Sequence, residues 1–133
     1  MRRPDPLGKL ENWYEHSLAN TEKLYQGGVN LAFGTDAPFA FGKLHHSVMN
    51  EARALRCAAV PNEAVLRMAT VGSATALGIR DHVGTLEPGM TADCVLLEGD
   101  PLADIEALNT ANLVLRQGRV VYARPAHAPF TGR

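Results

Sequence analysis

Between Pro6 and Gln26 the apolar residues Leu7, Leu10, Trp13, Tyr14, Leu18, Leu24 and Tyr25 recur at threes and fours, with Lys9, Glu11, Glu15 and Lys23 between them. That period predicts a helix. Gly27-Gly28 supplies its stop, because glycine enters the left-handed conformation at little cost. Val29-Asn30-Leu31-Ala32-Phe33 follows, with Asn30 its only strongly polar member. Such a run predicts a strand covered on both faces, as in a parallel sheet. It ends in the loop Gly34-Thr35-Asp36-Ala37-Pro38. Helix, glycine turn, buried strand and polar loop, in that order, predict the α/β class.

From about Leu44 to Gly78 the pattern is helical again. Val48, Met49, Ala52, Leu55 and Ala59 form one apolar stripe, with Glu51, Arg53 and Arg56 outside it. Pro61 suits the first turn of a new helix, and Glu63 sits where the helix dipole favours a carboxylate. Val65, Leu66, Met68 and Ala69 predict its buried side, Gly72-Ser73 an interruption, and Ala74 to Leu77 a further short helix capped by Gly78. The period then changes. Val83 to Leu86 reads as a short strand, and Glu87-Pro88-Gly89-Met90 as a type II turn. Cys94 to Leu97 reads as a buried strand ended by Gly99-Asp100-Pro101. Leu113 to Arg116 and Arg119 to Tyr122 read as two strands joined at Gln117-Gly118. The tail from Arg124 to Arg133 is expected to be poorly ordered.

The composition narrows the partners. The chain has 133 residues, 46% hydrophobic and 20% charged, with 13 Lys/Arg against 14 Asp/Glu for a net charge of −1. That balance argues against binding to nucleic acid or a membrane surface, both of which draw on a basic excess. No apolar run approaches the roughly 20 residues that cross a bilayer. Met1-Arg2-Arg3 leads into Pro4-Asp5-Pro6 and not into a signal core. Cys57 and Cys94 make no metal spacing, so a reduced, cytoplasmic protein is expected.

Asp36 is the strongest candidate for chemistry. A carboxylate just past the C-terminal end of a buried parallel strand lies where α/β folds place their ligands. There it can bind a divalent metal or take a proton from a metal-bound water; equally, it can start a turn before Ala37-Pro38. His45 and His46 are adjacent, about 100° apart on a helix, so both cannot reach one ion. His16, His82 and His127 complete the five histidines, and none of the five forms His-x-His or His-x-x-x-His. Gly-x-Gly-x-x-Gly, the Walker lysine and the nucleophile elbow are all absent.

Together these residues resemble the amidohydrolase superfamily. Gly28 to Ala37, with its terminal Gly34-Thr35-Asp36, is similar to the eighth barrel strand of that family, and Ala69 to Gly78 to the helices that come after it. Val83 to Leu97 resembles the return into a small β domain, which Gly99-Asp100-Pro101-Leu102 and Val114 to Val121 complete. The match runs from about His16 to Ala123, nearest the imidazolonepropionase-like and prolidase-like group. It implies the C-terminal portion of a (β/α)8 barrel, residues 1–80, then closing strands of the small β domain, 81–124, and a tail, 125–133.

The resemblance also implies a metal-dependent hydrolase of carbon–nitrogen bonds other than ordinary peptide bonds, acting on a small molecule. Asp36 matches the strand-eight aspartate, a metal ligand that relays a proton from water to the leaving nitrogen. One of His45 or His46 would line the substrate mouth. The family carries one or two divalent ions, often zinc. Its His-x-His on strand one, its strand-four ligand and its later histidines have no counterpart in the 35 residues before Asp36. A full barrel takes about 250 residues. The expectation is therefore a C-terminal fragment that holds no metal tightly alone. A complementary N-terminal half or a homo-oligomer would complete it, and the competing reading is a non-catalytic assembly piece.

Overall fold

The N-terminal period forms helix α1, Lys9–Gln26, in a computed structural model that describes residues 9–36 and 47–125. Its end is closed by two hydrogen bonds: the Gly28 N–H donates to the Tyr25 carbonyl at 3.0 Å and the Val29 N–H to that of Leu24 at 3.1 Å. This is the Schellman arrangement, with Gly28 left-handed at φ 72°. Helix α2, Ser47–Cys57, ends the same way through Ala59 to Arg56 and Val60 to Leu55. There the left-handed position, φ 57°, falls on an alanine.

Pro61 lies one residue before α3, Asn62–Arg67, at the N-cap. Glu63 occupies the first turn as the dipole favours. Gly72-Ser73 does not interrupt the helical run. The helix continues through a π turn, Met68–Gly72, into α4, Ser73–Ala76, and the Gly78 closure repeats the Schellman pattern. On the predicted stripes Met49, Ala52, Leu55, Val65 and Met68 are buried, whereas Ala59 and Ala69 are exposed. Ala58, Val60 and Ile105 complete the core.

The C-terminal region is an antiparallel sheet of three strands in the order β1-β2-β3: Cys94–Leu97, Ala111–Arg116 and Arg119–Ala123. Gln117 and Gly118 both have positive φ, 51° and 73°, as a two-residue type I′ hairpin requires. The Asp93 carboxylate accepts the Gln117 N–H at 2.6 Å, and the Ala92 carbonyl accepts that of Gly118 at 2.9 Å. Glu87 to Met90 forms the predicted turn, with Gly89 at φ 92° and a 3.1 Å bond from the Met90 N–H to the Glu87 carbonyl. A 3-10 helix, Ile105–Asn109, joins β1 to β2, and Asp104 caps it by accepting the Glu106 N–H at 2.9 Å. Its Glu106 forms a two-pronged ion pair with Arg53 of α2, both contacts 2.6 Å.

Two predicted strands do not form. Val83 to Leu86 bends instead: Gly84, at φ 103°, lies so close to the helical run that a Cβ there would sit 2.9 Å from the Ala74 Cβ of α4 and 3.1 Å from the Val71 Cα of the π turn. Val29 to Phe33 has no strand partner among the described residues, and it packs on one face only. The strand Cys94–Leu97 forms, but Val95 and Leu96 are exposed and the other two half-buried. The architecture is α/β with a small sheet.

Candidate active site

Burial alternates along the segment that carries Asp36. Leu31, Phe33 and Thr35 are half-buried, and Asn30, Ala32, Gly34 and Asp36 are exposed. A period of two puts these sets on opposite faces. Leu31 and Phe33 pack against the helical core. The outer face carries Asn30 and then the small residues Ala32 and Gly34, leading to the carboxylate of Asp36.

The π turn holds the middle of the segment. The Phe33 N–H lies 3.2 Å from the Ser73 Oγ and 3.3 Å from the Met68 carbonyl oxygen, and the Ser73 hydroxyl is 2.7 Å from that same oxygen. A π turn spaces its bonds five residues apart, so the Ser73 N–H also reaches Met68. Gly72 lets the two backbones approach: a Cβ there would stand 3.2 Å from the Leu31 carbonyl oxygen and 3.0 Å from that of Arg67. At the far end Asp36 is left-handed, φ 46°. Aspartate tolerates that region better than most residues, and such positions cluster at functional sites.

Two cavities flank the segment. One, of about 530 Å³, is lined by Tyr25, Asn30, Leu31, Arg67 and Arg80 among others. The other, of about 630 Å³ and mostly apolar, lies between Phe33, Val48 and Leu66 on one side and Leu86, Val95 and Leu115 on the other. Asp36 is in neither described lining. His45 and His46 lie outside the described residues, as does His127. His16 is exposed on α1, and His82 is exposed in a turn where its N–H bonds the Ile79 carbonyl at 3.0 Å. Ser73 and Gly72 are the positions the residue pattern did not single out as part of the site. Their signal is a glycine and a serine side by side inside an otherwise mostly apolar helical run.

The pattern of the amidohydrolase family matches residues 13–121. The chain belongs to that family. It is 38% identical over 88 residues to a 5-methylthioadenosine/S-adenosylhomocysteine deaminase of Syntrophobacter fumaroxidans, covering 61% of this chain and 20% of that protein. A deaminase of the same name from Teredinibacter turnerae is 32% identical over 114 residues, 80% of this chain and 24% of the relative. Among solved structures, a Xaa-Pro dipeptidase with methionine in its active site superposes with a TM-score of 0.73 at 30% identity, over 80% of this chain and 25% of that one. The chain thus spans about a fifth to a quarter of the length of these three proteins.

Among the described residues no group of three or more His, Cys, Asp or Glu is placed to hold a metal ion. Catalytic zinc takes about three protein ligands. Asp36 offers one carboxylate, so the described residues do not amount to a complete metal centre. Nor is any described helix long and apolar enough to cross a membrane.

Proposed function

We propose that this chain supplies Asp36 to a metal-dependent hydrolase that cleaves carbon–nitrogen bonds in a small molecule. The observation that carries the reading is the position of Asp36: it ends a segment whose inner face is fastened to the helices and whose outer face is cleared by Ala32 and Gly34. A carboxylate there takes a proton from the attacking water and returns it to the departing nitrogen, which then leaves as a neutral amine. In this reading residues 1–80 form the last helix, strand and helices of a (β/α)8 barrel, and the segment end opens on the face where barrels place their chemistry. Residues 81–124 close the smaller β domain.

A divalent ion, zinc foremost, supplies Lewis acidity in the family's chemistry. Asp36 would be one of its ligands, and the others would come from outside the described residues, in a complementary N-terminal half or a second copy. His45 or His46 would border the substrate. The names of the relatives suggest two substrate classes, an aminopurine nucleoside and a dipeptide ending in proline, and both lose a C–N bond to water. The test is turnover by the native assembly that contains this chain, following ammonia release from 5-methylthioadenosine and proline release from a Xaa-Pro dipeptide. Asp36→Asn should lower kcat at least about 100-fold with assembly unchanged. Full turnover in that variant would end the proposal.

A further inference from the structure

We propose that Ser73 is a positioning residue: its hydroxyl fixes where the 29–36 segment lies on the helix and thereby sets the stance of Asp36. The inference rests on the reading of Asp36 given above. A serine hydroxyl has one proton. At 2.7 Å the Met68 oxygen takes it, in preference to the Phe33 oxygen at 3.5 Å. The Ser73 lone pairs are then free for the Phe33 N–H at 3.2 Å, which completes a directed chain from Phe33 through Ser73 to Met68. No described strand pairs with this segment, and Phe33 is one point where its backbone is held to the helix, three residues before Asp36. Gly72 complements the clamp by leaving no Cβ to push away the Leu31 carbonyl. The π turn matters because its wider spacing turns the Met68 carbonyl toward several donors, where a regular turn would use it for one.

The test compares Ser73→Thr with Ser73→Val, two side chains of one shape that differ in the hydroxyl. In Ser73→Val the Phe33 amide should exchange with solvent about fivefold faster than in wild type, the factor expected for loss of one net hydrogen bond, while the Val65 amide keeps its rate. The strong intraresidue HN–Hα contact of a left-handed residue should weaken at Asp36. Ser73→Thr should restore both signals. Gly72→Ala, which keeps the hydroxyl but intrudes on Leu31, should disturb Asp36 in the same way. A general loss of stability would move the melting temperature and every amide together and leave the Thr and Val variants alike. Equal Phe33 exchange in Thr and Val, or an unchanged Asp36 conformation in both Ser73→Val and Gly72→Ala, would overturn the proposal. Asp36→Asn turnover tests the functional reading separately, so either can fail while the other stands.

Discussion

The helical region and the sheet region are held by different forces. Met49, Ala52, Leu55, Ala58, Val60, Val65, Met68 and Ala74 are all buried in the first. In the second, Val95, Leu96 and Val121 are more than half exposed, and order comes from backbone ladders and from the turns that register them. Helices without packing are marginal in water, so the first region stands or falls with its core. A short antiparallel sheet instead depends on turn chemistry, because a wrong turn shifts every pair. The candidate site belongs to the first region, yet its carboxylate rides on a segment held like neither, with hydrogen bonds to one π turn and half-buried side chains that include Leu31 and Phe33.

The largest effect that separates the regions should come from truncating apolar side chains. Leu55→Ala empties part of the core and should lower stability by about 3 kcal/mol, whereas Leu96→Ala on the exposed sheet face should stay within about 0.5 kcal/mol. Urea unfolding checks both, and equal losses would erase the distinction. Next comes Gly118→Ala. A Cβ there has room, its nearest neighbour being the Ala92 Cβ at 3.9 Å, so only the left-handed backbone objects. The loss should be about 1–2 kcal/mol, and thermal melts that show none would deny the hairpin its dependence on the turn. The opposite change in the helical region, Ala59→Gly, relieves a left-handed alanine and should stabilise by about 0.5–1 kcal/mol. A lower melting temperature in that variant would mean the helix closure is not strained.

The smallest effect lies on the link between the regions. The Arg53 guanidinium, by hydrogen bonding, holds the Glu106 carboxyl below its ordinary value of 4.5. A depressed folded value contributes stability above the unfolded value, and that contribution is lost as pH falls through the folded one. Both groups are exposed, so the gain is small. Glu106→Gln should therefore melt slightly below wild type at pH 7 and together with it near about pH 2. A gap that persists in acid would place the effect in packing and not in charge.

Much of this molecule is legible residue by residue. The stripe from Met49 to Leu55, the Gly28 and Gly78 closures, the Pro88-Gly89 turn and the Gln117-Gly118 hairpin all arise from local periods and from where a left-handed residue is cheap. Asp36 was visible as a carboxylate after an apolar run. Ala59 was not visible as a helix closure, because nothing in an alanine announces a left-handed conformation. Val83 to Leu86 misled because its apolar spacing suits a strand, while Gly84 was serving close contact with the π turn.

Local chemistry by itself determined the helices, the hairpin turn and the presence of a carboxylate at the end of an apolar segment, since each needs only neighbours a few residues away. The tertiary structure decided which face of residues 29–36 is covered and what holds it. Those outcomes depend on Gly72 and Ser73, some forty positions later, meeting Leu31 and Phe33. No local period records such a meeting, because a hydrogen bond between distant backbones leaves no pattern in either stretch alone.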